Sequence, residues 1–268
     1  MSEFSRALID RSGYEREGFA GGYDRFRPRP PRALLDVLCR YARVERPRLV
    51  VDLGCGTGLS TRAWSGLAER AIGVEPNPAM LAAAESAPGV EFVQAYAHAT
   101  GLPDGIADIV TCSQSLHWME PWPVFAEAAR TLRPGGVFAA YDYDWPPIID
   151  PELDIAYEAY QERRREARRR RGIQRGGDRW PKDGHLDRLR ESGCFATCRE
   201  VVLNSIEQGN ANRVVGFARS LGLPAAAGDD PGLERDLDIA ELEEVARHVL
   251  GDRTVPFLFG YRMRLGVR

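Results

Sequence analysis

The chain has little that would suit it to a membrane, a disulfide framework or a metal cluster. No apolar run reaches the roughly 18 residues that a spanning helix needs, so no membrane span is expected. The first residues, MSEFSRALIDRSGYEREGF, carry early acids and no apolar core, unlike a secretory leader. Five cysteines, Cys39, Cys55, Cys112, Cys194 and Cys198, are scattered and odd in number. That pattern predicts free thiols and a cytoplasmic location. Cys194 and Cys198 have no second pair and no nearby histidine, and His98, His117, His185 and His248 are dispersed. No metal is expected. Net charge is only −3, which argues against a surface built for polyanions.

What the chain does have is one dense signal. Leu49-Val50-Val51-Asp52-Leu53 is an apolar run carrying one acid, and Gly54, Gly56 and Gly58 follow at every second position. This predicts a buried strand, a tight turn and a helix. Glycines let the backbone bend sharply and lie close to a ligand. The dinucleotide pattern G-x-G-x-x-G fails, because Leu59 and Thr61 stand where its last glycine belongs. A second short run, Ala71-Ile72-Gly73-Val74, ends in Glu75. In a βαβ unit an acid there lies beside the glycine turn and can accept ribose hydroxyls. The other role open to Glu75 is to cap the helix after Pro76-Asn77-Pro78. The order strand, glycine turn, acid favours the ribose.

Strands and helices alternate along the core. Strands are expected at 48–53, 70–75, 90–95, Ala107–Ser113, Gly136–Tyr141, Cys198–Ile206 and Val255–Val267. Helices are expected at 31–44, 59–69, 77–86 and Pro121–Leu132. Such alternation predicts an α/β fold, a Rossmann-like doubly wound sheet. Residues 1–30 form a polar, arginine-rich lead-in. Segments 146–184 and 207–252 exceed the minimal core and are expected to be helical caps on a single domain. The loop Leu223–Gly232 is rich in small residues and turn formers.

VDLGCGTG, GVEPNPAML, AHATGLPDGIADIVTCSQSLHWM and LRPGGVF together resemble the class I S-adenosylmethionine-dependent methyltransferases. Tyr23-Asp24-Arg25-Phe26-Arg27-Pro28, His117-Trp118 and Ala218-Arg219-Ser220 resemble the small-molecule branch that contains trans-aconitate methyltransferase-like enzymes. The resemblance covers residues 15–145 well. It implies a seven-stranded sheet, mostly parallel, with the last strand antiparallel. It implies S-adenosyl-L-methionine as cofactor and S-adenosyl-L-homocysteine as product. The cofactor contacts it implies are Tyr23, Arg27, Asp52, Gly54, Cys55, Gly56, Gly58, Glu75, Pro76, Met80, Tyr96, Ala97, Ser113 and Gln114. Tyr96 stands where the family often has an acid for the adenine amine.

The loop after the fourth strand holds the chemistry candidates. His117 is the candidate general base for an acceptor hydroxyl, phenol or amine. The alternative is that it orients the loop. Trp118, Trp122 and Trp145 are candidate walls for a flat acceptor. The expected acceptor is a small molecule, a carboxylate or an aromatic, and the expected assembly a monomer or homodimer. Arg163–Arg171 invites a nucleic-acid reading, but Glu158, Glu162 and Glu166 lie at helical ion-pair spacing, so no nucleic acid is expected. The alternatives are an RNA or DNA methyltransferase and a non-catalytic cofactor-binding module. The first lacks an Asn/Asp-Pro-Pro-Tyr/Phe motif and a Pro-Cys pair.

Overall fold

The computed structural model describes residues 24–172, 180–220 and 239–268. These residues form two compact units. The first holds the sheet and comprises 29–143, 180–203 and 261–268. The second comprises 24–28, 144–172, 204–220 and 239–260. Of the candidate site residues, Tyr23 lies outside the described residues, as does the loop Leu223–Gly232.

The sheet has seven strands in the order β3-β2-β1-β4-β5-β7-β6. They are β1 (Leu49–Leu53), β2 (Arg70–Val74), β3 (Val90–Val93), β4 (Ala107–Ser113), β5 (Leu132–Tyr143), β6 (Thr197–Gly209) and β7 (Val255–Val267). β1 to β5 pair in parallel, and β7 runs antiparallel to β5, with Tyr141 opposite Met263. All five residues of β1 are buried, as a strand covered on both faces must be. Strand order reverses between β1 and β4, the switch point where open α/β sheets take ligands.

Helices α1 (Arg32–Ala42), α2 (Leu59–Arg62), α3 (Pro78–Ala82) and α4 (Pro121–Thr131) belong to this unit, with α6 (His185–Glu191). Two are shorter than expected. The helix expected at 59–69 ends at Arg62, and residues 63–65 continue in tighter turns whose amides bond to the carbonyl three residues back. Gly66 then takes φ 76°, a left-handed conformation that stops helix growth. The helix expected at 77–86 covers only Pro78–Ala82, before Pro88 and Gly89. β5 is longer than expected. It starts at Leu132, and a register shift between Ala107 and Ile109 absorbs the Pro134-Gly135 kink.

The second unit contains α5 (Pro151–Arg170), α7 (Ala211–Arg219) and α8 (Ala240–Leu250). Asp150 caps α5 by accepting Glu152 N at 2.9 Å, and Asn210 caps α7 through Arg213 N at 3.1 Å. The segment expected as a cap at 146–184 is therefore helical to Arg170. Its end, Trp180–Gly184, belongs to the sheet unit. No helix among the described residues is long and apolar enough to cross a membrane.

Candidate active site

The glycine loop is a bare-backbone bend. Gly54, Gly56 and Gly58 have φ of 68°, 58° and 80°. Side chains alternate inward, so Cys55 and Thr57 are buried while Gly54 and Gly56 keep some exposure. A Cβ on Gly54 would sit 2.3 Å from Met119 Cε and 2.8 Å from Ser115 Cβ. A Cβ on Gly58 would sit 2.4 Å from the Phe92 ring. Sterics and backbone thus both demand glycine. Burial pushes the Cys55 thiol well above its ordinary value, which suits a packing role.

Two acids hold this bend. The Asp52 carboxylate is buried and accepts Ser60 Oγ at 2.5 Å, Thr61 Oγ1 at 2.8 Å and Thr111 Oγ1 at 2.8 Å. It joins β1 to the start of α2 and to β4. Sequence reasoning grouped it with the cofactor contacts, and its oxygens are turned to these hydroxyls. Burial raises its pKa, and the three hydroxyls oppose that rise. Glu75 accepts Gly56 N at 3.0 Å through one oxygen and Asn77 N at 3.0 Å through the other. It ties the tip of β2 to the loop. Burial raises its pKa as well, against the two amides. Asn77, not Glu75, supplies the side-chain cap of α3, by accepting Ala79 N at 2.9 Å. Pro76 is half-buried beside it, and Met80 is buried, with its Cε 3.2 Å from a Cβ built on Gly56.

The loop after β4 meets the glycine loop directly. Ser115 Oγ donates to Leu53 O at 2.7 Å. Ser113 and Gln114 are half-buried, and Gln114 takes φ 52°, costly for a residue with a Cβ. Its amide is held at both ends: Nε2 donates to Tyr143 O at 3.3 Å, and Oε1 accepts Lys182 Nζ at 2.7 Å. His117 is 7% exposed, on the single helical turn Leu116–Trp118. Its carbonyl accepts Trp180 N at 3.0 Å, and its ring centroid is 5.4 Å from that of Trp118. Trp122 is exposed, with its ring 6.3 Å from Trp180. On the far side of β2, Tyr96 is half-buried, its ring 5.5 Å from that of His98, and Ala97 is buried in the core with Leu53 and Leu116.

Sequence reasoning missed a cluster of charges centred on Asp142, which faces His117. Asp142 Oδ1 lies 3.9 Å from His117 Nδ1 and 2.7 Å from Lys182 Nζ. Arg264 Nη1 lies 3.4 Å from the other Asp142 oxygen, and Arg264 Nε pairs with Glu200 at 2.9 Å. These residues come from β5, β6, β7 and the turn before α6, so no local motif joins them. One signal was available: Lys182 is the sole lysine among 36 Lys and Arg residues.

Arg27 and Trp145 belong to the second unit. Arg27 donates to Ser220 Oγ at 2.9 Å and Ser220 O at 2.7 Å, and its guanidinium lies 4.6 Å from the Trp145 ring. Trp145 stacks on Phe217 with centroids 4.0 Å apart.

Residues 51–140 match the family model described as a methyltransferase domain. The trans-aconitate 2-methyltransferase of Acidovorax sp. (strain JS42) is 40% identical over 124 residues, 44% of this chain and 46% of the relative. A Saccharomyces cerevisiae protein named as an S-adenosylmethionine-dependent methyltransferase is 29% identical over 148 residues, 52% of this chain and 50% of the relative. The chain thus spans about half the length of the curated relatives it matches. A solved structure from Anaeromyxobacter dehalogenans, assigned as a type II methyltransferase, is 26% identical. It superposes with a TM-score of 0.67 over 90% of this chain and 98% of that one. The sheet order, with β7 antiparallel, is that of the class I methyltransferase fold.

Proposed function

We propose that this methyltransferase domain carries a methyl group from S-adenosylmethionine to a small-molecule acceptor. The observation that carries the reading is the glycine bend at the sheet's switch point, tied to Glu75. Three left-handed glycines make a bend that admits no side chain at Gly54 or Gly58 and so presents bare backbone. The Glu75 carboxylate spends two acceptor sites on amides and has about two more for ribose hydroxyls. The relatives named for S-adenosylmethionine and for trans-aconitate favour this cofactor and a small acceptor over a nucleic acid.

Bound S-adenosylmethionine supplies an electrophilic sulfonium methyl group. The protein's part is alignment and proton removal. The backbone of Gly54–Gly58 and the Glu75 carboxylate fix the cofactor, with Pro76 and Met80 beside them. Tyr96 and Ala97 serve the adenine side, and Ser113 and Gln114 the methionine side. Holding the reactants in line contributes roughly 7–11 kcal/mol to lowering the barrier. His117 accepts the acceptor's proton, and Trp118 and Trp122 give the acceptor an apolar wall.

The test is calorimetry with S-adenosylhomocysteine, followed by transfer of a labelled methyl group to panels of small carboxylates, phenols and amines. Cofactor binding with turnover on one panel supports the reading. Binding without turnover on any panel, or transfer to RNA instead, overturns it.

A further inference from the structure

We propose that Asp142 and Lys182 are positioning residues that set the proton affinity of His117 in opposite directions. The catalytic consequence rests on the reading of His117 as the base. The electrostatic one does not. The Asp142 carboxylate lies 3.9 Å from His117 Nδ1, and both side chains are only 9% exposed. A carboxylate that close, out of water, stabilises the imidazolium. Taken alone it would hold a proton on His117 and block proton acceptance.

The Lys182 ammonium offsets this. It sits 2.7 Å from the same Asp142 oxygen that faces His117. Its second contact, Gln114 Oε1 at 2.7 Å, is neutral. The other Asp142 oxygen faces Arg264, whose charge is shared with Glu200. The charged group that faces His117 is Asp142, and Lys182, Arg264 and Glu200 form the ion-pair chain that leads away from it. His185, next to Lys182, Arg264, Arg188 and Asp183, adds no charge near neutrality: burial first, then these cations, lower its pKa to about 3. Lys182 is the charge that decides whether Asp142 acts on His117.

The residue type fits that task. The chain uses arginine at every other basic position. An ammonium is a compact point charge with tetrahedral donors, whereas a guanidinium is a planar fork. Two oxygens, one from β5 and one from the loop after β4, each 2.7 Å from one nitrogen, suit the ammonium.

The experiment is an NMR titration of histidine-labelled protein. The chain has four histidines, and His117→Asn identifies the signal of interest. Lys182→Met should raise the pKa of His117 by about one pH unit, and Asp142→Asn should lower it by a similar amount. Lys182→Arg keeps the charge and should stay nearer the wild type than Lys182→Met. The acid limb of turnover should move the same way as the imidazole signal. If Asp142→Asn does not fold, the Lys182→Met and Lys182→Arg pair decides alone. A His117 signal that ignores Lys182→Met, or that moves downward, overturns the proposal even if His117→Ala abolishes turnover. Shifts as expected, with full turnover in His117→Ala, keep the electrostatic pair and remove the base.

Discussion

The carboxyl ends of β1 and β2 and those of β4 and β5 lie on one edge of one sheet, yet they are built differently. At β1 and β2 the chain is shaped by backbone. Three glycines bend it, and Glu75 fastens it through two amide hydrogen bonds. At β4 and β5 it is shaped by side chains. Gln114 is held in a left-handed conformation by Lys182, and Lys182 and Arg264 converge on Asp142 beside His117. A backbone-built edge suits a ligand that is always the same. A side-chain-built edge can be retuned by single substitutions, and that is where an acceptor and a base belong.

The largest effect that would break this contrast lies at His117. General-base catalysis contributes about 10²–10⁴-fold, or roughly 3–5 kcal/mol. His117→Ala should lower turnover by that factor with little change in cofactor affinity. Wild-type turnover should also fall in acid near the ordinary imidazole pKa of about 6.5. A loss under about threefold with the true acceptor would falsify the base and leave alignment as the whole of catalysis.

The contrast also explains what the sequence discloses. The β1–β2 edge is legible because its parts are close in the chain and each residue type has one job. Glycines at every second position mean a bend, and an acid ending the next strand means a tie. The antiparallel β7 came from resemblance, and the strand order was not read from the sequence, since propensity says nothing of order. The helix expected at 59–69 fell short before the left-handed bend at Gly66, and nothing in the structure explains why the one expected at 77–86 ends at Ala82. The β4–β5 edge was only half legible. His117 was visible from its offset from β4, but Asp142 beside it, and Lys182, Arg264 and Glu200 beyond, come from distant parts of the chain and meet only in the folded sheet. Asp52 was visible, but not its three hydroxyl partners, because a buried acid beside a glycine loop reads alike whether it faces ligand or hydroxyls.

A third tie sharpens the comparison, on the loop that carries Tyr96 and Ala97. Glu127 accepts Thr100 N at 2.8 Å, Thr100 Oγ1 at 2.6 Å and Arg130 Nη2 at 2.7 Å. Burial alone would raise its pKa. The bonds from Arg130 and Thr100 outweigh that and hold it at about 2, against an ordinary 4.5. A carboxylate depressed by folding stabilises above its unfolded value, and the benefit disappears as pH falls toward the folded one. The shift corresponds to about 3 kcal/mol, and partial exposure of Arg130 reduces it to about 2 kcal/mol. Glu127→Gln should cost about that in urea unfolding at pH 7, with the gap narrowing from pH 5 downward. A gap constant with pH would mean that the loop is held by packing.

Glu75→Ala probes the backbone-built edge. Lost bonds to the ribose predict at least about tenfold weaker S-adenosylhomocysteine binding by calorimetry, about 1.4 kcal/mol or more. Glu75→Gln keeps one acceptor oxygen for Gly56 N and should lie between the alanine variant and wild type. Equal affinity in all three would leave Glu75 as a loop fastener only.

The smallest effect belongs to charges left in water. On α5, Arg165 pairs with Glu162 and Arg170 with Glu166, both at 2.6 Å, with every partner about half exposed or more. These contacts are about as short as the buried Lys182–Asp142 pair, but water screens them and long side chains lose freedom to make them. Arg165→Ala and Arg170→Ala should each change stability by less than about 0.5 kcal/mol. The same helix is expected to show no RNA affinity in a filter-binding salt series, because its acids cancel the run that phosphates would need. A steep salt slope lost in the double variant would make that helix face a binding surface, and would move the site's specificity from the β4–β5 edge to α5.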